Sequence, residues 1–157
     1  MYGDARSFFH AVRDARLGLD AMDRALAQMR QRTGLHAIDY SAVHVQGGQH
    51  DQMAQSDAIA DYERATERQR AQMQHLLDAG MAVLFGRDGM GGVAALMDME
   101  HANVVMWRCV HAMQWSETAR LMMRSPHWCC DAADAVMEMC DSYGMDRMLE
   151  GVGMAED

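Results

Sequence analysis

Several cysteine and histidine side chains in the second half of this chain have the chemistry for a metal site or a nucleophile. Cys129 and Cys130 follow His127, and the neighbouring thiols and imidazoles are Cys109, Cys140, His101 and His111. Zinc sites usually show Cys-x-x-Cys or His-x3-His pairs, whereas adjacent cysteines on a helix point about 100° apart. We therefore predict thiols packed in a core, with no metal, no cofactor and no catalytic residue.

A second set of residues has the chemistry to contact duplex DNA. Arginines bind phosphates, and an aspartate accepts a hydrogen bond from the cytosine amino group. The candidate DNA contacts lie around one predicted turn: Arg120, Arg124, Ser125, His127, Trp128 and Asp131.

The stretch from Trp115 to Cys140 must position these candidates, and it predicts two helices joined by a tight turn. Ser125 is a good cap for the second helix, and Pro126, the only proline of the chain, stands where its missing N–H costs nothing. This is the outline of a helix-turn-helix, whose second helix usually enters the major groove.

Two heptad seams before this motif predict long helices that pack into an antiparallel hairpin. A scaffold role is the simplest interpretation, with homodimerisation through the same seam as an open alternative. The seam residues are Phe8, Val12, Leu19, Met22, Leu26 and Met29 in the first helix, and Ile59, Tyr62, Met73 and Leu76 in the second.

These patterns predict an all-α protein with an N-terminal, coiled-coil-like helical hairpin and a small C-terminal helix-turn-helix domain. His36, His44 and His50 fall in the expected loop of the hairpin, but their spacing fits no familiar metal site. Four glycines in GRDGMGG predict a flexible linker after the hairpin. The expected segments are a hairpin over 1–85 with a loop at 34–52, a linker at 86–92, a helix-turn-helix domain at 93–145 and a flexible acidic tail at 146–157.

The charge balance argues against tight, nonspecific binding to phosphate backbones or anionic membranes. Fourteen arginines and no lysine face 23 acidic residues, for a net charge of −9. No apolar run approaches the length of a membrane span. The cysteines lie within helical pattern, which favours a reducing compartment. We expect a cytoplasmic protein without a membrane partner.

The region from Ala5 to Cys140 resembles small phage and prophage proteins whose tail is similar to sigma-factor region 4, related to late-operon regulators of the RinA/ArpU type. The first half is similar in Tyr40-Ser41, Gly47-Gly48, Asp51-x-Met53-Ala54 and Asp61-Tyr62-Glu63. The second half keeps Arg108, Trp115, Glu117, Ala119, Leu121 and Ser125.

The resemblance implies a phage-encoded transcriptional regulator that binds DNA, with RNA polymerase or another phage protein as a further partner. We expect no enzyme, because the spacing of the cysteines and histidines favours packing over a zinc site or a thiol nucleophile. The chain departs from the family where a basic reading helix is expected, because Asp131 and Asp134 stand there. Between Gly91 and Met145, three arginines face seven acids. The alternative is an interaction module that has lost DNA binding and whose acidic second helix binds a basic partner.

Overall fold

The computed structural model describes residues 3–35 and 48–151, and every regular element within these ranges is helical. The predicted all-α class is therefore confirmed. A π-helical turn at Met106–Val110 continues the fourth helix. The α-helices are α1 (Ala5–Leu35), α2 (Gly48–Phe85), α3 (Gly92–Leu96), α4 (Met99–Val105), α5 (Trp115–Met122), α6 (Pro126–Tyr143) and α7 (Met145–Glu150). None of the helices in the described ranges is both long and apolar enough to cross a membrane.

The chain divides into two compact units, and the division falls inside α1 and α2. The larger unit contains the described residues up to Leu17 and from Met73 onward, and the smaller contains those from Gly18 to Gln72. The predicted boundary at residues 86–92 therefore lies inside the larger unit. Two glycines of this segment are part of the packing: Gly86 and Gly92 are buried, and both have positive φ. The segment is a tight turn between α2 and α3.

The core of the larger unit is built on the first turns of α1. Phe8, Phe9 and Val12 are fully buried, and the two phenyl rings meet edge to face with centroids 5.1 Å apart. The Asp4 carboxylate accepts the Ser7 N–H at 2.7 Å, which caps the helix and lowers the pKa of Asp4. The other fully buried large residues of this unit are Val83, Leu84, Val93, Val104, Val105, Val136 and Met148.

The smaller unit pairs α1 with α2 in opposite directions. Arg30 contacts Glu63 at 2.8 Å, and Asp23 contacts Arg70 at 2.7 Å. The later residue of α1 thus pairs with the earlier residue of α2, which shows that the two helices are antiparallel. Leu26, one turn from Met22, is buried beside these pairs. Exposed ion pairs of this kind contribute less than about 1 kcal/mol each, so they fix register more than stability.

The predicted seam is buried on α1 and only partly covered on α2. On α1, Phe8, Val12, Leu19, Met22 and Leu26 are buried and Met29 is half-buried. On α2, Leu77 is buried, whereas the predicted residues are half-buried: Ile59, Tyr62, Met73 and Leu76. A straight helix drifts from a seven-residue repeat by about 20° each heptad, which accounts for the shift from Leu76 to Leu77.

Two predicted irregular segments are shorter than expected. Helix α1 continues to Leu35 and α2 begins at Gly48, so both ends of the predicted 34–52 loop are helical; residues 36–47 of it, with His36 and His44, lie outside the described residues. The predicted tail at 146–157 begins as α7, because Met148 is fully buried and fastens this helix to the core. Residues 152–157 of that tail also lie outside the described part.

Replacing glycine by alanine at two positions tests the packed turn. Gly92 (φ +65°) and Gly89 (φ +79°) share a left-handed backbone, but a Cβ on Gly92 would overlap the Val83 carbonyl oxygen and lie 2.8 Å from the Leu84 carbonyl carbon, whereas a Cβ on Gly89 meets nothing within 4 Å. Gly89→Ala should cost about 1–2 kcal/mol of unfolding free energy in urea denaturation. Gly92→Ala should cost clearly more, and equal losses would show that the segment is a loose linker.

Candidate functional site

Helix α5 begins at a capping box and ends in a left-handed residue. The Gln114 N–H donates to Glu117 Oε2 at 3.0 Å, which satisfies a free donor at the helix start. Met123 has φ 53°, which is uncommon for a residue other than glycine, and the Arg124 N–H then returns to the Ala119 carbonyl at 3.0 Å. The connection to α6 is therefore the three residues 123–125.

Ser125 fixes the start of α6, as its position in the sequence predicted. Its Oγ accepts the Trp128 N–H at 3.1 Å, and Pro126 occupies the first helical position. One face of α6 is buried, and it consists of Cys129, Ala132, Ala133, Val136, Met137 and Cys140. The hydroxyl of Ser125 thus has a structural partner within the helix.

Arg124, the central cation of the predicted DNA site, is paired with a carboxylate. Its Nε and Nη2 donate to the two carboxylate oxygens of Glu100 at 2.7 and 3.2 Å. The guanidinium also lies over the Trp128 ring, 4.8 Å from its centroid. Glu100 raises the pKa of Arg124 and balances its charge. These two bonds use Nε and one hydrogen of Nη2, so a phosphate would have to share the guanidinium with Glu100.

The remaining candidate DNA contacts are exposed but do not form a positive strip. Arg120 is exposed and has no ion pair within the part of the chain that the structure describes. His127 faces Asp131 one turn later, with Nε2 3.4 Å from Oδ2. Among the candidate DNA contacts, the structure thus brings together Arg124, Ser125 and Trp128. Arg120 is the one arginine of this set whose charge no carboxylate balances within the described ranges.

Two acidic residues of α6 hold the start of α1. The Ala5 N–H donates to Asp141 Oδ1 at 2.6 Å, and Arg6 Nη2 contacts Asp134 Oδ1 at 2.9 Å. A carboxylate beside the first free N–H groups of a helix is favourable, because those groups lack partners and carry the positive end of the helix dipole. Asp134 and Asp141 therefore have structural partners, whereas Glu138 is an exposed acid between them.

The cysteines lie in packing environments. All four are free; Cys109, Cys129 and Cys140 are buried and Cys130 is half-buried. Burial raises the pKa of Cys109 to about 11 and, with the charge of Asp141, that of Cys140 to about 12. Thiolate, the nucleophilic and metal-binding form, is therefore scarce at neutral pH. Within the described ranges, no three His, Cys, Asp or Glu side chains converge as a metal site would require.

A basic cleft in the larger unit was missed by sequence reasoning. It has a volume of about 230 Å³, and its basic and acidic lining residues are Arg6, His10, Arg13, Arg108 and Asp134. Arg13 and Arg108 are 95 positions apart, and both donate to carbonyl oxygens at the end of the π-helical turn. No local motif joins residues so far apart in the sequence. Of these two arginines, only Arg108 belonged to a predicted pattern, that of the family resemblance.

No family model, curated protein or solved structure matches the chain. The resemblance to phage regulators therefore stays a prediction, and the residues and their geometry carry the functional proposals.

Thiol labelling should distinguish the four cysteines. At about pH 8 iodoacetamide should modify Cys130 first, because it is the only half-buried thiol among them, and Cys109, Cys129 and Cys140 should react fully only after denaturation. Peptide mass mapping of partly labelled protein provides the measurement. Fast labelling of Cys109 or Cys140 in the native state would contradict the packing role and revive a reactive thiol.

The buried thiols also predict a loss of stability at high pH. A pKa raised from 9.0 to about 12 at Cys140 means that the folded state keeps a proton that the unfolded state releases. This contribution is complete below about pH 9 and is lost progressively as the pH rises from 9 towards 12. Urea denaturation of the wild type should show this fall, and Cys140→Ala should show a shallower one. Identical pH profiles would exclude Cys140 as its source.

Proposed function

We propose that this protein is an interaction module that binds a basic partner protein through α5, the turn and α6, and that it does not read duplex DNA. The observation that carries the proposal is the bidentate pairing of Arg124 with Glu100. A phosphate would have to compete with this carboxylate for the charge of Arg124, whose guanidinium also lies over the ring of Trp128. The remaining cation beside the turn is Arg120.

The charge of α6 supports the same conclusion. Its exposed side carries Asp131, Asp134, Glu138 and Asp141. Duplex DNA presents one negative charge about every 1.7 Å along its axis, so this helix would be repelled in the major groove. Asp134 is already paired with Arg6 and Asp141 accepts the Ala5 N–H, which leaves Asp131 and Glu138 as the acids best placed for a partner's arginine or lysine.

Exposed apolar side chains at the end of α5 and in the turn fit a protein partner better than a nucleic acid. Met123 is 91% exposed in the turn and Leu121 is 46% exposed at the end of α5. Methionine adapts its shape to different partners, and interfaces combine an apolar centre with a polar rim. A basic amphipathic helix has both the apolar and the cationic groups that this surface would contact.

A DNA-binding transcriptional regulator of phage type is the second candidate. It is favoured by the order of a short helix, a three-residue turn and a longer helix capped by Ser125, and by the exposed guanidinium of Arg120. The two candidates differ in their dependence on the arginines: DNA binding needs Arg120 and Arg124, whereas binding of a basic protein needs the acids of α6.

Two titrations of the full chain separate the candidates. The first uses fluorescence anisotropy with a mixed-sequence DNA duplex at low salt, where phosphate attraction is strongest. The second uses NMR with a synthetic amphipathic helix that carries arginine on one face and leucine on the other. We expect no duplex binding, and peptide-induced shifts concentrated in α5 and α6.

Matched variants locate the binding surface. The double variant Asp131→Asn with Glu138→Gln should weaken peptide binding about two- to tenfold, as expected for two exposed ion pairs. Its control is Asp57→Asn with Glu67→Gln, which removes the same charge from exposed positions on α2. If the control variant lost as much affinity for the peptide, the loss would come from the net charge alone and would contradict the proposal. Duplex binding that is lost in Arg120→Gln and Arg124→Gln would establish the DNA reader instead.

A further inference from the structure

We propose that the basic cleft beside the start of α1 binds a small organic anion, whose carboxylate or phosphate group is held by Arg13 and Arg108 and whose flat apolar part lies against Phe9 and Met137. This site is separate from the α5–α6 surface proposed above for a partner protein, and it goes beyond that function.

The two guanidinium groups have hydrogen-bond donors left for a ligand. Arg13 uses Nη1 for the carbonyl oxygens of Arg108 at 2.8 Å and Met113 at 3.3 Å, and Arg108 uses Nη1 for the Met113 carbonyl at 2.7 Å. These bonds cap the end of the π-helical turn and hold both side chains in place. Each guanidinium has five N–H groups, so Nε and Nη2 of both remain for a two-oxygen acceptor.

The cleft has more positive charge than its own acid balances. Within the described ranges Arg13 and Arg108 pair with no carboxylate, and Asp134, the acid of the lining, is 2.9 Å from Arg6. Burial lowers the pKa of Arg108, and the positive charge of Arg13 lowers it further. A bound anion would relieve the repulsion between the two guanidinium groups. Such a local excess of positive charge stands out in a chain whose net charge is −9.

The size and walls of the cleft define the rest of the ligand. Its volume of about 230 Å³ is below the usual range for drug-sized ligands, so a single ring with one acidic group is the expected scale. The apolar lining includes the buried Phe9 and Met137 and the half-buried Trp115. Trp115, on whose ring Arg108 lies 4.6 Å from the centroid, keeps that guanidinium flat and oriented.

Three anions and one neutral analogue test the site in the wild-type protein. Benzoate, phenyl phosphate and inorganic phosphate are titrated while tryptophan fluorescence is recorded, and isothermal calorimetry gives the stoichiometry. We expect saturable one-to-one binding of benzoate or phenyl phosphate, weaker binding of inorganic phosphate, none of neutral benzamide, and weakening by added salt. The tighter of the two aromatic anions identifies carboxylate or phosphate as the headgroup.

Variants at the cleft give changes in opposite directions. Arg108→Gln should weaken binding about tenfold, because it removes a charge-assisted hydrogen bond; Arg68→Gln, at an exposed position on α2, is the charge-matched control. Asp134→Asn should tighten binding about fivefold by freeing Arg6. Its control, Glu138→Gln, removes an exposed acid of the same helix outside the cleft and should change nothing.

The gain expected for Asp134→Asn keeps the test valid if Arg108→Gln fails to fold, since loss of structure does not tighten binding. The proposal is overturned if no anion gives a saturable signal, if benzamide binds as well as benzoate, or if Glu138→Gln tightens binding as much as Asp134→Asn. If Arg68→Gln weakened anion binding as much as Arg108→Gln, the loss would come from the overall charge of the protein, which would also overturn the proposal.

Discussion

The first turn of α1 is the element on which the larger unit depends. It carries Phe8 and Phe9 into the core, where both rings are fully buried. Asp141 of α6 accepts the Ala5 N–H at 2.6 Å, and Asp134 pairs with Arg6. Two carboxylates thus connect the first described helix to α6 across more than a hundred residues of sequence. Both are part-exposed contacts, so their role is to fix the position of α1 while hydrophobic burial supplies most of the stability.

This connection gives the acidic character of α6 a structural origin. An acidic second helix is hard to reconcile with a DNA reader, but half of its exposed acids contact α1. Tertiary contacts also decide which arginines are balanced by a carboxylate. Arg124 and Arg6 are balanced by carboxylates, whereas Arg13 and Arg108 bind backbone carbonyls and keep their charge. The cleft beside α1 therefore has two arginines that no carboxylate balances within the described ranges, whereas Arg124 in the turn between α5 and α6 is balanced by Glu100.

Local sequence signals predicted the start of α6 and the apolar face of α1, but they did not predict which residues of different helices contact each other. The Ser125-Pro126 pair marks the start of α6 because capping and proline geometry depend on neighbours in the chain. The α1 seam is buried from Phe8 to Leu26 because helical periodicity alone places those side chains on one face. The glycines at 86–92 were misread as a linker, since glycine is equally common in loose segments and in turns whose backbone approaches closely.

The sequence by itself determined the helical class, the start of α6 and the apolar face of α1, because these follow from interactions within a few residues. Only the tertiary structure decided which charges are free. Whether Arg124 can contact a phosphate depends on Glu100, and whether Arg13 and Arg108 form a site depends on α1 packing against the end of the π-helical turn. Coulomb interactions act through space and fall off within several ångströms, so their partners are fixed by folding and cannot be read from spacing along the chain.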